Sequence, residues 1–183
     1  MDSFSIILVV VLLILVILSA FFSGSETSIM ALNQIKLDNA EKQGNKSAKI
    51  INSLRKEINR VLGVILIGNN LVNISASALL TFFVIKKFGD EYVWIGTLLL
   101  TIFIIIFAEI APKSFAAKRP ESIAYPASRI LKVLTKYLGS FSEMLTNISN
   151  SLTGIKNNEN YFSENLNRDE LKSVLEKETK EVD

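Results

Sequence analysis

The chain has 183 residues, 49% of them hydrophobic, and a formal charge of +2 from 20 basic and 18 acidic side chains. It contains no cysteine and no histidine, which excludes disulfides, thiolate and imidazole metal sites, and the commonest general base. A mean hydropathy of +0.35 exceeds what a soluble domain of this length carries, and three uncharged stretches account for the excess.

The first stretch is Ser3 to Ser25. The chain opens Met1-Asp2 rather than with positive charge, and the apolar run is longer than a signal-peptide core, so it reads as a retained span. The second stretch is Val61 to Ile85 and the third Tyr92 to Ala108. About 20 apolar residues cross the hydrocarbon core as a helix, so the third spans only if it continues through Glu109. Backbone groups in lipid must bond within their own segment, so all three are expected to be helices, near residues 4–28, 60–86 and 92–118.

Between the first two spans lie Lys36, Lys42, Lys46, Lys49, Arg55, Lys56 and Arg60; after the third come Lys113, Lys118, Arg119, Arg129, Lys132 and Lys136. The link Lys86 to Glu91 has balanced charge. The positive-inside rule then places the basic segments in the cytoplasm and the N-terminus outside, in a multi-pass protein of the plasma (inner) membrane.

Pro120 and Pro126 are expected to bracket a break. Beyond it Ile130, Leu134, Tyr137, Leu138, Phe141, Leu145, Ile148 and Leu152 recur at helical spacing, with Arg129, Lys132 and Lys136 off the stripe. This predicts an amphipathic helix over residues 121–152, lying along the membrane surface or packed on a soluble core. No soluble core is evident, which favours the membrane. Further on, Asn167 can cap a last short helix, with Glu170 completing a capping box. The fold class is thus an all-α integral membrane protein: three transmembrane helices, an amphipathic juxtamembrane belt helix and a short cytosolic helix.

Each span carries polar residues that do not suit lipid. Ser19 and Ser23 share a face of the first, followed by Gly24 and Glu26. A lone buried serine can also bond back to its own helix. Asn69, Asn70 and Asn73 lie in the second, with Asn69, Asn73 and Ser77 on one face. Amides join membrane helices, but three beside Gly68 suggest a polar-lined cavity. In the third, "IIIFAEIAPKSF", Glu109 sits inside the apolar run, and an ionisable residue there is a functional hypothesis by default. It can instead pair with Lys113 four residues on. Pro112 lacks the N–H that would bond the Ala108 carbonyl, leaving that carbonyl beside the Glu109 carboxylate. By depth, at about 1.5 Å per residue, all three groups fall in the cytoplasmic half of the membrane. Hydroxyl, amide, carbonyl and carboxylate oxygens suit Mg²⁺ or Na⁺ rather than zinc or copper.

"FFSGSET", "GNNLVN" and "AEIAPKSFA", in that order on successive spans, resemble the transmembrane domain of the CorC/CNNM family of magnesium transport proteins. The resemblance covers residues 1–152. It implies a homodimer and Mg²⁺ efflux, with Na⁺ as a coupled ion at the same or a nearby site. The cation site would lie in an inward-facing cavity. Metal ligands carried over are Ser23, Asn69, Asn73 and Glu109, with Ala108 through its carbonyl and Ser28 and Asn70 at positions that vary among relatives. Many relatives have glycine where Ala108 stands. Pro112 and Gly24 are the implied hinges, and Lys113 and Glu26 the charged neighbours. Residues 153–183 would begin an acidic cytosolic helical region, cut short before a CBS pair and a C-terminal domain. No nucleic-acid partner is expected. Nor is enzymatic activity, because no nucleophile–base pair or phosphate-binding loop appears. The alternative within the same site is a Mg²⁺-binding membrane sensor or scaffold; a membrane-damaging toxin is a third, which the ordered polar-lined spans disfavour.

Overall fold

The computed structural model describes residues 3–153. The terminal helix expected after Asn167 lies outside the described residues. The chain divides into a unit ending at Met144 and a second from Leu145; of the second only the end of one helix is described. Among the described residues there is no strand.

Three elements have the length and composition to cross a membrane: Ser3–Ala31, Ile58–Phe88 and Asp90–Lys118. The first is helix α1. Two short helices follow, α2 (Gln34–Lys42) and α3 (Lys46–Lys56), and then the second span, α4 (Ile58–Phe88). The third span is composite. A 3₁₀ turn, Asp90–Tyr92, leads into α5 (Val93–Phe103), then a π-helical segment, Ile104–Ile110, then α6 (Ala111–Lys118). Helix α7 is Pro120–Thr153.

The second span runs antiparallel to both others, and the first and third run parallel. At one end of the bundle Phe4 meets Phe82 edge-on at 6.3 Å, and Lys86 Nζ lies 3.8 Å from the Phe4 ring centroid. Tyr92 and Trp94 are exposed at the same end, where amphipathic rings suit a membrane–water interface. Midway, Phe22 of α1 fills the space left by Gly68 of α4; a Cβ on Gly68 would stand 2.5 Å from Phe22 Cζ. Toward the other end, Phe22, Ile29, Leu54, Val61, Ile65, Val72, Ala127 and Leu131 form a core shared by α1, α3, α4 and α7.

The basic segment between the first two spans is more than a loop, which charge counting alone did not anticipate. Asn33 caps α2 by accepting from the Lys36 N–H at 3.0 Å, and Asn45 caps α3 by accepting from the Ser47 and Ala48 N–H groups. Gly44, at φ 87°, makes the turn between them. Leu32, Leu37, Ala48, Ile51 and Ala124 form a second small core. Arg55 ties this hairpin to the end of α1: its guanidinium donates to the Ile29 and Leu32 carbonyls and to Gln34 Oε1. A cation on the last carbonyls of a helix satisfies orphan acceptors and suits the negative end of its dipole.

Two expectations about prolines are corrected. The break falls at Arg119 (φ −135°, ψ 63°); Pro120 opens α7, and Pro126 lies inside it. Proline needs no N–H partner in a first turn, so Pro120 begins a helix rather than ending one. The third span is not simply bent at Pro112. It widens into π-helix just before that residue, and Pro112 falls in the first turn of α6.

Helix α7 also buries a different face from the apolar stripe. Ala124, Ala127, Ser128, Leu131, Thr135 and Ser142 are buried, whereas Ile130, Val133, Tyr137 and Phe141 are exposed. Small residues let α7 approach closely, and the large apolar side chains point outward, as they do on a helix whose surroundings are lipid.

Replacing Gly68 by alanine should force the Phe22 ring aside and lower stability by about 1–3 kcal/mol. Thermal unfolding in detergent should show that Phe22→Leu recovers part of the loss in the double variant, because the two sites share one space.

Candidate functional site

Helix α1 packs against α4, the π-helical segment and α6, and polar residues of the other spans meet it at two points, Asn69 and Lys113. Ser19 Oγ donates to Asn69 Oδ1 at 2.9 Å, with Ser19 fully buried. Ser23 is buried one turn further on, and its Oγ has no hydrogen-bond partner among the described residues. Asn73 Oδ1 is also buried without a partner.

Local bonding separates these groups from ordinary membrane serines. Ser75 donates to the Leu71 carbonyl, Thr81 to Ser77 and Thr101 to Thr97, each four residues back. Ser28 donates to the Ser25 carbonyl. Those hydroxyls are satisfied by their own helices. Ser23 is not, nor is Ser25, whose Oγ is likewise buried and unpartnered. An unpaired buried polar group costs about 1–3 kcal/mol, so each needs an explanation.

Register fixes the levels. On α4, Asn69 stands opposite Ser19 and Gly68 opposite Phe22. On the third span, a Cβ on Gly24 would lie 3.6 Å from Pro112 Cβ, and Lys113 Nζ lies 3.3 Å from Glu26 Oε2. Counting back about 1.5 Å per residue, Ala108 and Glu109 fall level with the stretch between Ser19 and Ser23. Asn69 joins them. Asn73 falls about 10 Å beyond the level of Ser23, toward the opposite end of the bundle. The polar groups therefore do not share one level but form a ladder: Asn73, then Ser19 with Asn69, then Ser23, with the Glu26–Lys113 pair beyond.

Ala108 is fully buried and Glu109 half-buried, both within the π-helical segment. A π-turn offsets the carbonyl ladder by one residue, and such bulges recur at functional sites. Pro112 has no N–H to donate into that region. The alternative pairing of Glu109 with Lys113 is not what the structure contains. Lys113 reaches across to Glu26 on α1, and among the described residues Glu109 has no ion-pair partner. Gly24 lies inside an unbroken α1, and Asn70 is exposed on α4.

Ser19 belongs to this constellation although the quoted motifs exclude it. Its signal was the four-residue spacing to Ser23, which the antiparallel Asn69–Asn73 spacing matches. No cluster of three or more histidine, cysteine, aspartate or glutamate side chains occurs among the described residues. The donor set is one carboxylate among neutral oxygens, which suits a hard cation that keeps part of its water.

Fold and ladder together define a multi-pass all-α membrane protein with a polar seam between its spans. The cyclin M transmembrane N-terminal domain family matches residues 10–183, and the chain belongs to that family. It is 39% identical to the UPF0053 inner membrane protein YfjD of Escherichia coli over 168 residues, covering 90% of this chain and 39% of that protein. It is 44% identical to a UPF0053 protein of Haemophilus influenzae over 129 residues, covering 70% of this chain and 31% of the relative. A putative DUF21 domain-containing chloroplastic protein of Arabidopsis thaliana is 35% identical over 86% of this chain and 24% of its own length. The chain thus spans well under half of these relatives.

The satisfied and unsatisfied serines should respond oppositely to truncation. Ser19→Ala strands Asn69 Oδ1 and should cost about 1 kcal/mol. Ser23→Ala removes an orphan and should leave cation-free stability equal or higher by up to about 1 kcal/mol. Thermal unfolding in chelator-treated detergent solution measures both.

Proposed function

We propose that this membrane domain moves Mg²⁺ across the bilayer by alternating access, with Na⁺ as a coupled ion at the same or a nearby site. Glu109 supplies the charge that draws the cation from water. Asn69 and Ser23 replace hydration oxygens, together with the Ala108 carbonyl. Asn73 takes the ion on the far side of that level, and Ser28 and Asn70 stand as peripheral ligands. The π-helical segment before Pro112 is where the third span changes shape, because a π-turn converts to α-helix by shifting carbonyl partners rather than breaking the helix. The observation that carries this reading is the pair of buried, unpartnered oxygens, Ser23 Oγ and Asn73 Oδ1, on two helices at levels that bracket Glu109, a carboxylate with no ion-pair partner among the described residues. An ionisable residue such as Glu109 inside a membrane segment marks an ion pathway by default.

On this reading the protein works as a homodimer in the plasma (inner) membrane. Its N-terminus is outside, and its basic end faces the cytoplasm, where CBS and C-terminal domains would join it. The Glu26–Lys113 pair lies on the cytoplasmic side of the ladder and closes it from that end.

Glu109→Gln should abolish Mg²⁺ flux into dye-loaded liposomes while insertion and dimerisation persist. It should also remove the Mg²⁺-dependent rise in melting temperature expected of the parent, which at a hundredfold excess over Kd reflects about 2.7 kcal/mol of stabilisation. Flux by the variant at the parent's rate would overturn the proposal. A parent that binds Mg²⁺ by calorimetry yet stays silent in liposomes would make the domain a sensor or scaffold instead.

A further inference from the structure

A second polar feature lies away from the ladder, where α3 and the start of α4 meet α7. It is an open cleft of about 170 Å³ whose lining includes Ser53, Glu57, Arg60, Lys132, Thr135 and Lys136. Arg60 is held in place: it pairs with Glu57 at 3.1 Å and Glu143 at 3.4 Å, and its guanidinium lies against Gly139 of α7, where a Cβ would collide with it. Lys132 and Lys136 are one turn apart on α7, both exposed, and neither has an ion-pair partner among the described residues. Like charges at that spacing repel. Between them in sequence, Thr135 is only 6% exposed, and its Oγ1 has no hydrogen-bond partner. The N-terminus of α4 opens on the same cleft, and the side chain of its cap residue Glu57 satisfies none of the first-turn N–H groups. Lys136 Nζ lies 5.9 Å from the Tyr137 ring centroid, a contact that leaves its charge uncompensated. The positive end of a long helix, two lysines without an ion-pair partner and an unsatisfied hydroxyl all favour one kind of guest, a tetrahedral oxyanion.

We propose that this cleft binds the phosphate headgroup of an anionic phospholipid. The lipid source is argued from what flanks the cleft. On α7, Ile130, Val133, Tyr137 and Phe141 are exposed, and they offer an apolar track for acyl chains beside the headgroup site. Basic pockets at the ends of membrane helices commonly hold anionic headgroups in this way. The phosphodiester takes Lys132 and Lys136, with Thr135 as a further hydrogen-bond donor, and Arg60 shares its charge between Glu57, Glu143 and the lipid. The site is independent of the cation ladder and bears on how α7 is held at the membrane surface.

Native mass spectrometry of the intact chain in neutral detergent tests this with dioleoyl-phosphatidylglycerol against dioleoyl-phosphatidylcholine. The parent should prefer the anionic lipid by about tenfold or more, as expected for two lysines near a headgroup. Lys132→Ala with Lys136→Ala should bring the two lipids to parity. Lys46→Ala with Lys49→Ala, also exposed on the basic segment, should leave the preference intact. Thr135→Val should weaken anionic lipid binding by about threefold or more, the loss of one hydrogen bond to a charged group. Parity in the parent would overturn the proposal. So would an equal loss in the Lys46/Lys49 control, which would mean diffuse surface charge. Complete displacement of the lipid by millimolar inorganic phosphate would assign the cleft to a free anion and overturn the lipid reading.

Discussion

A polar atom in hydrocarbon has no water to turn to, and the rest of this structure follows from that constraint. Each span solves it for the backbone by staying helical. Ser75, Thr81 and Thr101 solve it for side chains by bonding back four residues. Ser19 and Asn69 solve it across helices. Against that thorough satisfaction the exceptions carry meaning. Ser23 and Asn73 hold unpaired oxygens on the two helices that Ser19 and Asn69 join.

The same constraint shapes the basic end. The first span stops inside the protein, so its last carbonyls need donors. Arg55 supplies them from α3, and it is itself braced by Gln34, which bonds Asp38 and Asn52. A polar hairpin is thereby fastened to the end of an apolar helix by one guanidinium. Arg fits this task better than Lys because its planar fork reaches several acceptors at once. Any motion of α1 relative to α4 must carry this hairpin with it or break these bonds, so the hairpin couples the polar ladder to α7, whose Ala124 packs on it.

Much of the architecture was legible in the residues. Uncharged runs located the three spans, because length and hydropathy decide spanning almost by themselves. The spacing of serines and asparagines marked the faces that meet. What was not legible depended on partners distant in sequence. The α2–α3 hairpin has only a small apolar stripe, and its Asn33 and Gly44-Asn45 signals were hidden within a run of charge. The apolar stripe of α7 reads as the side turned to the membrane, but its opposite, protein-facing side was not legible, because Ala124, Ala127, Ser128 and Ser142, which go inside, are small or polar and carry no hydrophobic signal. The Glu109–Lys113 alternative failed for a related reason: Lys113 found Glu26 on another helix, a contact that spacing within one helix cannot reveal.

The π-helical segment ties these threads together. A proline in a membrane helix normally forces a kink, because its ring crowds the carbonyl four residues back. Here the helix widens before Pro112 instead, and the widened turn holds both Ala108 and Glu109. Widening costs hydrogen-bond quality, and lipid offers nothing in return. One side of the turn, where Ala108 is fully buried, packs on the bundle and meets α1, with Gly24 allowing Pro112 to come close, while Ile105, Ile106, Phe107 and Ile110 stay exposed on the other side. The proline, the glycine opposite it and the π-turn are thus one structural solution. Its consequence is that the only carboxylate within the apolar run of the third span sits where the backbone is least committed to a single pattern of bonding. Charge and backbone adaptability at one level are what a site must have if it is to hold an ion and then let it go.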